Sequence, residues 1–229
     1  MITLHSAIKQ RSPEWFALRN GKVGSSEAHL VTSAGRNGKE AFGRRDLRIA
    51  LSVARIGGHN QAEAPTFVSA AMQHGIDCED AARISYEIQH SVTVEEVGYL
   101  TNSEVPHCGL SPDGLISNTG LVEIKCPKAA THWNTLRLAL QGASDTPTPL
   151  DGIPPSSQAQ VLHALLVSGR DYLDFVSFCP AFPPSLQLYT HRVESAEVQE
   201  NIETYQTALE GFLEEVEATA DAMSSLMIP

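Results

Sequence analysis

Several features are missing from this chain of 229 residues, and each absence excludes something. No apolar run reaches the length of about 20 residues that spans a bilayer, and Met1-Ile2-Thr3-Leu4-His5 does not open a secretory leader, so a cytosolic protein with no membrane partner is expected. The four cysteines, Cys78, Cys108, Cys126 and Cys179, stand far apart without a Cys-x-x-Cys pair. That spacing argues against a zinc site, a disulfide framework or an iron–sulfur cluster, and predicts four small buried side chains. The nine histidines form no His-Glu-x-x-His motif. The glycine-rich stretch 33–39 lacks the Gly-x-x-x-x-Gly-Lys-Ser/Thr spacing of a nucleotide-phosphate loop. Positive charge is scarce, with 16 Lys and Arg against 27 Asp and Glu and a net charge of −11.

A deficit of that size argues against a nucleic-acid partner, but the charge is unevenly spread. Residues 1–60 hold ten Lys/Arg and four Asp/Glu, whereas residues 61–229 hold six and twenty-three. A basic N-terminal segment that meets DNA, with acidic surfaces elsewhere, fits this polarity. A solvated helix face fits Arg36, Arg44, Arg45 and Arg48 equally well, taken one at a time. With 42% apolar residues the chain can bury one substantial core, so a single domain over 1–229 is expected.

The most informative stretch is 109–127. Gly109 and Pro112-Asp113-Gly114 are turn formers and Leu121–Ile124 is an apolar run interrupted by one acid, a pattern that predicts a β-hairpin with Asp113 at the start of a strand. Glu123 and Lys125 are two residues apart and share one face, with Val122 and Ile124 on the other. A carboxylate and an ammonium are costly to bury unless paired, and a divalent metal held by Asp113 and Glu123 would pair them. Lys125 would then orient or deprotonate a water beside that metal. An isolated D…ExK triplet occurs by chance in many chains, and a solvated hairpin is the plainer alternative.

Around the hairpin, Ser12-Pro13 predicts a helix cap before Trp15 and Arg19, with Asn20-Gly21 as the stop. A second helix is expected from Ser25 or Ser26, the serines serving as caps, and an Arg- and Ala-rich helix from the 33–39 loop to about Ile56. Residues 64–89 read as helix with a break near Gly75, placing Glu79, Ala82 and Tyr86 on one face. A helix is expected over 131–140, a long mobile surface loop over 141–155, and a helix over 158–167 capped by Ser156 or Ser157. Gln158 and Gln160 cannot both face one site. Strands are expected over 172–178 and 186–193. In the tail, Val198, Ile202, Tyr205, Leu209, Phe212 and Val216 form one apolar stripe on a helix whose other faces carry acids and no base.

Ser111-Pro112-Asp113-Gly114-Leu115 followed by Leu121-Val122-Glu123-Ile124-Lys125-Cys126-Pro127 resembles the lambda-exonuclease-like, or YqaJ-type viral recombinase, branch of the PD-(D/E)xK nucleases. Trp15…Leu18-Arg19…Ser25-Ser26-Glu27 is similar to the N-terminus of that family, and Gly75…Glu79 to its helix bearing a metal-directed glutamate. The resemblance implies an α/β (α+β) fold, a restriction-endonuclease-like core with a mixed central sheet flanked by helices. It also implies Mg²⁺ at Asp113, Glu123 and the Ile124 carbonyl, with two ions, one bridging toward Glu79, and Mn²⁺ able to substitute. Lys125 and Gln160 would position a water, and Arg19, Ser26 and Ser111 would hold a 5′-phosphate, with Arg36 touching DNA. Where the family often has a tyrosine before the Ala-Gln-Val run, this chain has Ser157-Gln158.

The activity implied is a 5′-to-3′ exonuclease on double-stranded DNA ends that releases 5′-mononucleotides. A homotrimeric ring, a single-strand annealing recombinase as partner, and a phage or prophage origin in the cytoplasm of a bacterial host are implied with it. The rival expectations are an endonuclease on the same core and a DNA-end-binding module without catalysis.

Overall fold

The computed structural model describes residues 1–58, 70–141 and 148–226. The N-terminal part runs through β1 (Ile2–Leu4), α1 (Pro13–Arg19), β2 (Val23–Gly24), α2 (Ala28–Val31) and α3 (Phe42–Arg55). The long α4 (Ala70–His90) leads to β3 (Val94–Glu95), β4 (Leu100–Asn102) and β5 (Cys108–Gly109), then to the hairpin β6 (Gly114–Ile116) and β7 (Gly120–Lys125). The chain continues through α5 (Ala129–Gln141), α6 (Pro155–Ser168), β8 (Tyr172–Phe178), α7 (Pro184–Gln187), β9 (Leu188–Glu194) and α8 (Gln199–Ser224).

The main sheet has the order β3-β6-β7-β8-β9, with β7 and β8 parallel and the other neighbours antiparallel. It is the mixed sheet expected, flanked by helices on both faces. Alternation in β7 and β8 explains the two layers. Leu121, Leu173 and Phe175 face α6, α8 and α3 in the larger core. Val122, Ile124, Val176 and Phe178 face Ala82 and Tyr86 of α4 in the smaller one. Tyr86 donates to the buried Asp174, whose carboxylate also takes two hydrogen bonds of 2.8 Å from Arg192.

The α8 stripe is buried as its spacing predicts, from Val198 to Val216. Its acids have a second use. Arg44 makes a paired contact with Glu215 at 2.7 and 3.0 Å, Arg48 reaches Thr219 at 2.7 Å, and Arg55 bonds Glu217. Arg44 and Arg48 also share Glu40, and Arg45 pairs with Asp46. Arg44 and Arg55 are thus paired with acids of the tail helix and Arg48 chiefly with Glu40, while Arg45 stays exposed beside Asp46.

Other expectations are corrected. Among the described residues α4 passes Gly75 without a break, and residues 64–69 lie outside them. The turn at Ser25 is a 3₁₀ turn in which no serine acts as cap; Glu27 accepts the Gly24 N–H at 3.0 Å instead. Pro155 starts α6 three residues early, since proline at the first helical position loses no hydrogen bond, so Ser156 and Ser157 lie inside its first turn. Leu150 and Ile153 are buried, so the described end of the 141–155 stretch is packed; residues 142–147 lie outside the described part. Residues 186 and 187 belong to α7 rather than to a strand. Cys108 and Cys179 are buried, whereas Cys78 and Cys126 are only half-buried. No helix among the described residues is long and apolar enough to cross a membrane.

His163 joins three elements across the larger core. It is fully buried and bonds the Gly109 carbonyl at 3.1 Å and the Tyr205 hydroxyl at 2.9 Å. Burial lowers its pKa from 6.5 to about 4, so it is neutral in the fold and donates to Gly109. Because the unfolded chain protonates first, stability is complete above pH 6.5 and lost as pH falls toward 4, by about 3 kcal/mol. In His163→Gln, which keeps a donor and an acceptor but does not titrate, that part of the acid loss should vanish, as read from denaturant unfolding at pH 7 and pH 4.

Candidate active site

The site forms where the hairpin ends unevenly. The last pair between its strands is Gly114 with Val122, so residues 123–125 of β7 extend past β6. Asp113, just before β6, supplies what the missing strand would have: its carboxylate accepts the Ile124 N–H at 2.6 Å. A residue's N–H and C=O leave an extended strand on the same edge, which puts the Ile124 carbonyl on the Asp113 side as well.

Glu123 is 3% exposed and faces α6. Its Oε1 accepts from Lys125 Nζ at 2.6 Å and from Gln160 Nε2 at 2.5 Å. Gln158 turns the other way and donates to the Leu150 and Ile153 carbonyls. Asp113 Oδ1 and Glu123 Oε2 are left without a hydrogen bond among the described residues. Burial and the adjacent Glu123 charge hold the Asp113 pKa well above its ordinary value, against the pull of Lys125 and the Ile124 N–H. For Lys125, burial opposes the charge, but the Glu123 and Asp113 carboxylates outweigh it and raise the ammonium pKa. Held against Glu123, Lys125 is placed to orient a water or donate a hydrogen bond to it.

Glu79 projects from α4 into a cleft of about 430 Å³ whose lining includes Asp113, Glu96, Lys9 and Arg11. Burial raises its pKa, and the Arg11 charge, 3.6 Å away, opposes the shift. Beside this cleft, Trp15 organises a second cluster. Its indole N–H is shared between Ser111 Oγ at 2.8 Å and the Gly98 carbonyl at 3.1 Å, and the Arg19 guanidinium lies 4.4 Å from its ring centroid. A Cβ at Gly24 would approach Arg19 Nη2 to 3.2 Å, so the glycine leaves room for the guanidinium. Ser111 and Asp113 are two residues apart, and that segment links the two clusters. Ser26 is exposed on the neighbouring 3₁₀ turn. Arg36 is exposed on a turn of its own, and no described contact ties it to the cleft.

Among the described residues, no three His, Cys, Asp or Glu side chains already stand in ligating geometry. The fit to a divalent cation rests on the two unpartnered carboxylate oxygens. They belong to a pair whose charges oppose each other inside a largely buried site, and a cation between them would relieve that opposition.

The family model described as the YqaJ-like viral recombinase domain matches residues 14–171, a span that holds Trp15, Asp113, Glu123, Lys125 and Gln160. The chain belongs to that family. Among solved structures, this YqaJ-like chain is similar to an alkaline exonuclease, LHK-Exo, from Laribacter hongkongensis, at 31% identity. The match has a TM-score of 0.75 and covers 93% of this chain and 97% of that one. A complex of LHK-Exo with dAMP matches at 31% identity and a TM-score of 0.74, with the same coverage. A phage-related exonuclease from Haemophilus somnus 129PT, at 14% identity and a TM-score of 0.56, covers 90% of this chain and 99% of its own and shares the fold. No curated protein matches the sequence.

Sequence reasoning missed Gln10 and Arg11 altogether and gave the Trp15 indole N–H no role. The usable signal was local: all three flank Ser12, whose side chain accepts the Trp15 N–H at 3.2 Å.

If the site is built for a cation, the metal-free YqaJ-like protein carries a penalty at Asp113. Its raised pKa means that the fold binds this proton more tightly than the unfolded chain, so stability falls as pH rises above 3.8. Asp113→Asn should raise the melting temperature in EDTA at pH 8. Mg²⁺ should raise that of the parent and leave the variant unmoved.

Proposed function

We propose that this chain is a divalent-metal-dependent exodeoxyribonuclease that degrades linear duplex DNA from its 5′ ends. It would release 5′-mononucleotides and leave 3′ single strands. The observation that carries this reading is the pair of unpartnered oxygens on Asp113 and Glu123, set beside Lys125 and Gln160 and linked through Ser111 to Arg19. The 31% identity to an alkaline exonuclease over nearly the whole chain supports it, as does the complex of that relative with a mononucleotide, dAMP.

Asp113 and Glu123, with the Ile124 carbonyl and Glu79, would hold one or two Mg²⁺ ions, Mn²⁺ substituting. Such ions polarise a phosphodiester and offset charge on a departing 3′ oxygen. Gln160 gives its N–H to Glu123 and keeps its carbonyl to orient the attacking water. Lys125 steadies Glu123 and offers its other N–H groups to that water or to the scissile phosphate. Arg19, pre-stacked on Trp15, and Ser111, already bonded to the indole, would receive the terminal 5′-phosphate, with Ser26 closing the pocket. An end held there limits cleavage to the first nucleotide, since Ser111 and Asp113 belong to one short segment.

The family also leads us to include a homotrimeric ring around the duplex and a single-strand annealing recombinase that takes up the 3′ strand. The setting would be the cytoplasm of a phage-infected or prophage-bearing bacterium, and Arg36 would touch DNA outside the cleft.

The test is digestion of linear duplexes bearing 5′-phosphate or 5′-hydroxyl ends, beside a closed circle, in Mg²⁺ or EDTA. Mononucleotides should appear only from linear DNA and only with Mg²⁺, and Asp113→Ala should slow their release by at least about a hundredfold. Arg19→Ala should remove the preference for a 5′-phosphate, a loss of about ten- to a hundredfold on that substrate alone. Cutting of the circle would instead establish an endonuclease, and no cutting by the parent would leave an end-binding module.

A further inference from the structure

Arg11 occupies an unusual position. Its φ is 67°, a left-handed backbone that glycine adopts freely and an arginine rarely does. The surrounding loop holds it there. Gln10 donates from Nε2 to the Val97 carbonyl at 3.0 Å and to the Pro112 carbonyl at 2.9 Å, next to Asp113. The loop also lies flat on Gly98, where a Cβ would come within 1.7 Å of the Ile8 carbonyl oxygen. On the other side, Ser12 caps α1. The backbone is thus fixed from both sides, and the guanidinium is directed into the cleft beside Glu79 and Asp113.

The pairing found there is loose. Arg11 Nη2 is 3.6 Å from Glu79 Oε2, and the two side chains are 55% and 36% exposed. A solvated ion pair of this kind contributes little to stability, so it gives no reason to keep a side chain where glycine would be relaxed. The neighbouring acids are already engaged: Arg83 bonds Asp80 at 2.7 Å and Glu96 at 3.0 Å. Glu79 and Asp113 are therefore the carboxylates left facing Arg11 and Lys9 across the cleft. A DNA strand entering this acidic cleft brings further negative charge, and a guanidinium can grip a phosphate in two-point fashion.

We infer that Arg11 is a substrate-positioning residue that exchanges partners, paired with Glu79 in the metal-free protein and gripping a backbone phosphate of the strand in the cleft once Glu79 engages a cation. The inference rests on the nuclease reading proposed above, and it adds a residue that lies outside the span matched by the family model. The exchange has a reciprocal consequence. Because Arg11 competes for Glu79, removing it should tighten cation binding in the absence of DNA while weakening DNA binding in its presence.

The test is Arg11→Gly, because glycine relaxes the φ of 67° and should keep the melting temperature at or above that of the parent. Binding of a 5′-phosphorylated duplex, measured by fluorescence anisotropy in Ca²⁺, should weaken about tenfold or more. The dependence of log Kd on log salt should lose about one unit of slope. Calorimetric titration with Mn²⁺ in the absence of DNA should show tighter binding than in the parent, and Arg11→Lys should restore part of the DNA affinity. A variant that matches the parent in both affinity and salt slope overturns the inference, and so does one that binds DNA more weakly with no change in Mn²⁺ affinity. Failure of the nuclease reading is seen separately, in an Asp113→Ala protein that digests DNA as fast as the parent.

Discussion

A carboxylate that completes a β-ladder is the contact on which the site depends. Because β6 begins only at Gly114, the Ile124 N–H has no strand partner, and Asp113 accepts it. That one hydrogen bond fixes Asp113 beside Glu123, sets the Ile124 carbonyl on the same edge, and draws the 111–113 segment to where Trp15 can bond Ser111. Burial then makes the arrangement responsive. Asp113 and Glu123 oppose each other's charge, Lys125 compensates only in part, and a cation is the economical remedy.

The supporting shell is built from the same logic of matched charge and shared polar groups. Gln160 reaches Glu123 because α6 is pinned at its middle by His163, which spans from the Gly109 carbonyl to Tyr205 of α8. The acidic α8 in turn pairs with Arg44 and Arg55 of α3 and gives Arg48 a hydroxyl partner in Thr219. Part of the charge polarity of the sequence is therefore resolved inside the fold. At the site itself, Arg11 and Lys9 lie on the cleft and Arg19 on Trp15.

How much of this could be read from the sequence follows from the range of the interactions. Period-two alternation and turn residues made the 114–125 hairpin legible, and the steps of three and four in 198–216 made α8 legible, because both signals are local. Glu123, Lys125 and Asp113 were legible as a set since a charged face in an apolar strand asks for a partner. Arg44 and Glu215 are 171 residues apart, and no local pattern announces their pairing. Pro155 and Glu27 changed the helix starts through capping choices that the serines nearby obscured. Gly75 breaks nothing, as flanking helix formers carry α4 across it. The left-handed Arg11 was invisible because arginine gives no sign of a positive φ.

The central claim is that Asp113 and Glu123 form a cation site, and it is tested most directly by diffraction from crystals of the protein soaked in Mn²⁺, recorded at a wavelength where manganese scatters anomalously. The expected result is an anomalous peak beside the Asp113 and Glu123 carboxylates that is absent from Asp113→Asn crystals. Crystals of the parent with no peak there, or with manganese only elsewhere on the molecule, would contradict it.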